Sequence, residues 1–189
     1  LAVPGAVRTD LLEAAAIVPT TPRRIDDPTT VARLRLRIDS LESLDPADLE
    51  GSGQTASSGT IEVVDARGLA PGPAPADLSR FLRPEPLLES DAPEIRAEAE
   101  KAVTDAATPR LRAERLLRHV NSILDKKPTV SLPSALEVLK TRIGDCNEHT
   151  ALYVAMARSI GLPARIAVGL VHLRGAFYYH AWAEVWVEE

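Results

Sequence analysis

Gly144-Asp-Cys-Asn-Glu-His-Thr-Ala-Leu-Tyr-Val-Ala-Met-Ala-Arg-Ser-Ile-Gly-Leu-Pro163 is the stretch from which the rest of the chain can be read. No glycine or proline interrupts it between Cys146 and Ile160. Ala151, Leu152, Val154, Ala155, Met156 and Ala157 leave little polar surface beyond the first turn, which predicts a helix buried nearly all round. Gly161 and Pro163 supply the stop, one by tolerating the left-handed conformation and the other by being unable to continue. Cys146 then stands at the helix N-terminus, directly after a glycine turn. Unpaired N–H groups and the positive end of the helix dipole favour an anion there, so the thiolate gains relative to the thiol. A lone cysteine is more commonly a packed apolar thiol. The polar Asp145, Asn147 and Glu148 around this one favour a reactive role.

Downstream, Arg165 to Val171 and Phe177 to Val187 read as two strands joined by a turn at Arg174-Gly175. Alternation along the second places Tyr178, His180, Trp182, Glu184 and Trp186 on one face, and Tyr179, Ala181, Ala183, Val185 and Val187 on the other. His180 sits among aromatic rings and is the candidate base for Cys146. Trp182, with Trp186, is a candidate wall of the substrate cleft. His149, three residues after Cys146, falls near the same helix face and is a second candidate for lining the site. A metal reading through Cys146, His149 and His180 rests on Cys-x-x-His alone, a pattern of low specificity. No metal and no cofactor is expected.

Upstream, Asp91 is positioned to cap a helix that has Pro93 in its first turn and Ile95, Ala99, Ala102, Val103 and Ala106 on its apolar face. Pro109 ends that helix and opens another through Leu111, Leu116, Leu117, Val120, Ile123 and Leu124. Ser134 to Thr141 is a short third helix with Leu136 and Leu139 inward. Residues 1–80 form a β-leaning N-terminal module. Within it Leu34, Leu36 and Ile38 alternate with Arg33, Arg35 and Arg37, the period of a half-buried strand whose arginines face solvent. Thr60 to Asp65 is a second strand. Gly51-Ser-Gly and Ser57-Ser-Gly between them read as loop, and residues 68–76 as a Pro/Gly linker. The composition agrees with a division near there. Twelve of the 15 prolines lie at or before Pro109, and five of the seven aromatic residues lie between Phe177 and Trp186.

The whole chain has 189 residues, 45% hydrophobic and 26% charged, ordinary values for a globular protein and poor ones for a disordered or collagen-like one. No apolar run approaches the ~18 residues of a membrane-spanning helix. With 22 basic against 27 acidic residues the formal charge is −5, which argues against nucleic acid as a partner. The single cysteine excludes an internal disulfide and fits either side of a membrane. The chain starts at Leu1 and its only methionine is Met156, so it is expected not to be an intact translation product.

Gly144-Asp-Cys-Asn-Glu-His-Thr-Ala-Leu, Ala157-Arg-Ser-Ile-Gly-Leu-Pro-Ala-Arg and Tyr179-His-Ala-Trp-Ala-Glu-Val-Trp-Val together resemble the core of the bacterial transglutaminase-like superfamily, papain-like enzymes of cysteine acyl transfer. The resemblance covers about Ser134 to Glu189, with the three motifs in the family's order. It implies an α+β fold, helices packed on an antiparallel sheet, over residues 88–189. It also implies Cys146 as nucleophile, His180 as general base, and a protein or peptide substrate attacked at a peptide or glutamine amide bond. A third residue of the family, an Asp on the strand after the histidine strand, has no counterpart before Glu189. The domain is therefore expected to be cut short of its last strands, or the acid to come from elsewhere. Loss of such an orienting acid costs ~10⁴ in rate in the serine-protease template. Glu184 lies two strand positions from His180, about 7 Å, and is a poor substitute. The competing reading is a non-catalytic peptide-binding or assembly module on the same fold.

Overall fold

A computed structural model describes residues 15–20, 24–39, 45–70, 72, 76–129 and 134–188. The chain divides into two compact units, one of Val18–Pro75 with His172–Ala176, the other of Leu1–Ile17, Ala76–Val171 and Phe177–Glu189.

The first unit is built on an antiparallel sheet of β1 (Arg33–Arg37), β2 (Gln54–Ser57) and β3 (Thr60–Val64) in the order β1-β3-β2, with a single-turn helix α1 (Pro46–Leu49) between β1 and β2. The arginine row is a solvated strand face, as its period implies. Arg35 pairs in register with Glu62, whose carboxylate takes Arg33 at 3.0 Å and Arg35 at 2.8 Å. Gly51-Ser-Gly and Ser58-Gly59 are turns, in keeping with their loop composition, and the strand β2 between them is one the sequence reading did not place. Gln54-Thr-Ala-Ser has no apolar alternation to announce a strand, and it forms one because Ser58 (φ 47°) and Gly59 (φ 75°) make a tight left-handed turn that lays it against β3. The linker residues Pro71 and Pro73, Ala74 and Pro75 lie outside the described residues.

The second unit surrounds one helix. Three helices, α2 (Pro93–Ala102), α3 (Pro109–Ile123) and α4 (Ala135–Thr141), pack against α5 (Cys146–Ser159). Between them β4 (Asp125–Lys126) and β5 (Ile143–Gly144) make a short parallel pair that delivers the chain to the start of α5. The buried cluster runs through Ile95, Leu116, Val120 and Val138 to Leu152, Val154 and Met156 of α5, and every residue from Thr150 to Ser159 is buried. Such a helix needs partners on all sides, and Arg158 shows how its polar exception is met. Its Nε donates to the Ala164 carbonyl (2.8 Å), and its Nη1 to the Arg83 carbonyl (2.7 Å) and Glu85 Oε1 (2.9 Å). The helix stops as expected: Gly161 has φ +81°, its N–H donates to Arg158 O, and the Leu162 N–H reaches back to Ala157 O at 2.9 Å.

Four details differ from the sequence reading, the first being that α2 stops at Ala102, well short of Pro109, so that Val103 and Ala106 lie beyond it rather than on its face. The cap position of α2 is Ala92, with no side-chain bond, so Asp91 does not cap it, although Pro93 opens the helix as expected. Leu117 is 61% exposed, because the residue after Leu116 lies about 100° round the helix and off the buried face. In α4 the fully buried residues are Ala135 and Val138, and Leu136 and Leu139 pack only partly against the core.

The chain then forms a hairpin of β6 (Ala164–Leu173) and β7 (Ala176–Val185), joined at Arg174 (φ 53°) and Gly175 (φ 87°), the turn placed there from the sequence. Ala183 and Val185 of β7 pack on the core around α5, and Ile17 bridges Phe177 through a pair of backbone hydrogen bonds of 2.8 and 2.9 Å. Helices thus pack against an antiparallel pair in an α+β arrangement, as expected. Among the described residues no helix is long and apolar enough to cross a membrane.

Candidate functional site

The N-terminus of α5 is held by a reciprocal cap. Asp145 Oδ1 accepts from the Asn147 N–H (3.1 Å), and Glu148 Oε2 accepts from the Asp145 N–H (2.9 Å). Thr129, from the segment after β4, donates its hydroxyl to Glu148 Oε1. Glu148 is only 2% exposed and folds back across Gly144, where a Cβ would stand 2.2 Å from Glu148 Cβ. Gly144 is therefore glycine because a carboxylate side chain occupies the space above it. The spacing Asp145-x-x-Glu148 is the signal from which this could have been read, since it matches a capping box.

The two carboxylates respond in opposite directions. Burial raises the Glu148 carboxyl, but the hydrogen bonds from Thr129 and the Asp145 amide outweigh it and leave Glu148 below its ordinary value. Burial also raises Asp145, the Asn147 amide lowers it, and the neighbouring Glu148 pushes it up, so the net shift is upward.

Cys146 is the first residue of α5, half-buried and free. Its backbone N–H has no hydrogen-bond partner among the described residues, and its carbonyl accepts from Thr150 Oγ1 at 2.6 Å. His149 lies on the same turn. Its Nδ1 donates to the Asp145 carbonyl (2.6 Å), which fixes the tautomer, and its Nε2 is buried with no hydrogen-bond partner among the described residues.

His180 is half-buried on β7, and its ring stacks on Trp182 with centroids 6.5 Å apart and planes 22° from parallel. Trp182 lies over β6 at Gly169, where a Cβ would stand 2.9 Å from the indole. Glu184, on the same face, is engaged by Arg165 at 2.6 Å. The residue that reaches the first turn of α5 is Tyr179, whose hydroxyl donates to Asn147 Oδ1 at 3.1 Å. This bond ties the neighbour of His180 to the neighbour of Cys146. Among the described residues no hydrogen bond joins Cys146 Sγ to the His180 ring. The sequence names Asn147 only as a polar neighbour of Cys146 and gives Tyr179 no role in the site, because a bond between residues 32 apart leaves no periodic trace.

A cavity of about 800 Å³ lies at the other end of α5, lined by Arg96, Glu100, Asp105, Arg112, Arg158 and Ile160 among others, and so is remote from Cys146. No group of three or more His, Cys, Asp or Glu side chains is arranged to hold a metal ion among the described residues.

Residues 96–189 match the Transglutaminase-like superfamily. Among solved structures the chain is similar to a candidate cysteine protease from Cytophaga hutchinsonii, with TM-score 0.56 and 22% identity over 68% of this chain and 47% of that one. It is similar too to the periplasmic domain of TgpA from Pseudomonas aeruginosa bound to ethylmercury, with TM-score 0.52 and 22% identity over 67% and 51% of the two chains. The chain thus spans about half the length of each. At this identity the likeness concerns the fold. No curated protein sequence matches the chain.

Proposed function

Since the chain belongs, through residues 96–189, to the transglutaminase-like superfamily, we propose that it is a cysteine enzyme that opens peptide or glutamine amide bonds by thioester acyl transfer, with Cys146 as nucleophile and His180 as general base. The observation that carries this reading is the position of Cys146. It is the first residue of a capped, buried helix, and its own N–H has no partner among the described residues. That setting supplies one donor for an oxyanion.

In the proposed reaction the Cys146 thiolate adds to the amide carbonyl carbon. The C–S bond forms as the carbonyl π pair moves onto oxygen. Collapse of that intermediate expels the amine, which takes its proton from the His180 imidazolium and leaves a thioester. Water, deprotonated by His180, then releases the acid; a second amine in its place gives a new amide. Trp182 and His149 are proposed as substrate-contacting residues. The Cys146–His180 contact is expected to form with substrate bound, since catalytic hydrogen bonds are often long or misaligned in free enzymes. That no hydrogen bond joins the two among the described residues is the specific observation that favours the second reading, a peptide-binding module without catalysis.

One pair of measurements separates the two. Iodoacetamide should alkylate Cys146 in the folded protein, and casein or a glutamine-peptide panel should be hydrolysed by the parent and not by Cys146→Ala or His180→Ala. Equal turnover in parent and Cys146→Ala would remove the nucleophile assignment. A thiol that stays inert until unfolding would leave the binding module.

A further inference from the structure

We infer that Asn147 supplies the second oxyanion donor of the site and that Tyr179 positions it, an inference that rests on the reading of Cys146 as nucleophile. The primary amide of asparagine has one accepting and one donating end. In this structure Oδ1 is committed to the Tyr179 hydroxyl at 3.1 Å, and the backbone N–H of Asn147 to Asp145 Oδ1 at 3.1 Å. With both of those anchored, Nδ2 is the free end. It has no partner among the described residues, and Asn147 is only half-buried.

Two uncommitted donors therefore lie in the first turn of α5, the Cys146 N–H and the Asn147 Nδ2–H₂, one residue apart. When the thiolate adds to a carbonyl carbon, the electron pair of the C=O bond becomes a full charge on oxygen. Donors fixed in advance stabilise that charge more than water does, because nothing must reorient as it develops. Tyr179 supplies the fixing. It is 55% exposed, so its ring is poorly used as packing, yet its hydroxyl crosses from β7 to the one side chain that follows the nucleophile. Without it the amide could turn over and present Oδ1, an acceptor, to the developing charge.

The test compares residues 1–189 with Asn147→Ala and Tyr179→Phe, using Cys146→Ala as blank, in two assays. Alkylation by iodoacetamide across pH reports the thiol alone, because substitution at a saturated carbon forms no oxyanion. Turnover of the peptide substrate reports both. Asn147→Ala should lower kcat by about 10²–10³-fold, the usual loss for an oxyanion donor, with KM little changed and the alkylation profile unmoved. Tyr179→Phe should give a smaller fall of the same kind. An unchanged kcat in Asn147→Ala, or alkylation that falls in step with kcat, overturns this inference alone. A parent with neither alkylation nor turnover overturns the nucleophile reading and takes this inference with it.

Discussion

At the residue scale the start of α5 depends on one missing methyl group. Gly144 shows no left-handed backbone, so its conformational freedom is not the reason for it; the reason is the Glu148 side chain, 2.2 Å from where a Cβ would be. Gly144→Ala should displace Glu148, break the bond to the Asp145 amide and lower stability by about 1–3 kcal/mol, the range for overpacking, with loss of the cap adding about 1. Urea unfolding would measure it, and unchanged stability would mean that Glu148 has room to swing away. The placement of Cys146 at a helix start was legible because it needs only local signals, a glycine before an apolar run and a Gly-x-Pro stop. Glu148 over Gly144 was half legible through the box spacing. Thr129 on Glu148 and Tyr179 on Asn147 were not, since each depends on how separate segments meet in space.

Elements were legible in proportion to how strongly their own residues specify them. α5, β6 and β7 carry unbroken patterns and fell within two residues of expectation. β2 carries none and exists by virtue of its partner strand. Caps were the least legible, because Asp91 and Thr108 are both good capping residues and differ only in that Thr108 directly precedes its proline while Ala92 separates Asp91 from Pro93. Thr108 Oγ1 accepts from the Leu111 N–H at 3.2 Å, whereas Asp91 lies one residue outside the cap of α2. Thr108→Ala should therefore cost about 1 kcal/mol and Asp91→Ala close to nothing, compared by thermal or urea unfolding. The central helix sets the larger scale. Leu152 is fully buried, and Leu152→Ala should destabilise by about 2–5 kcal/mol, the spread reflecting how far α2, α3 and α4 can close on the cavity.

At the scale of the whole molecule, buried and half-buried carboxylates that hold helix starts make stability depend on acid. Besides Glu148 there is Glu89, which accepts from Ser134 Oγ at 2.5 Å and from the Leu136 N–H at 3.3 Å, securing the start of α4 from 45 residues away. Burial raises Glu89, but the Ser134 and backbone hydrogen bonds outweigh it and hold it below its ordinary value. For a carboxyl whose folded pKa is depressed, the unfolded chain binds protons first, so its stabilisation is present above the unfolded value of about 4.3 and is lost as pH falls through the folded one. Asp145, raised, acts in the opposite sense: its ionised form is penalised in the folded state, which offsets part of what Glu148 contributes. Asp27, Asp65 and Asp77 are also lowered by hydrogen bonds, but they lie at the surface, where solvent screening leaves little effect. The net expectation is a protein whose urea midpoint is flat from neutral pH to about 5 and declines below it. Glu89→Gln should lower the midpoint at pH 7 and flatten the decline, because an amide retains an acceptor for Ser134 without a proton to gain. A variant whose acid limb runs parallel to that of the parent would show that Glu89 contributes no linkage, and would leave Glu148 as the group that titrates.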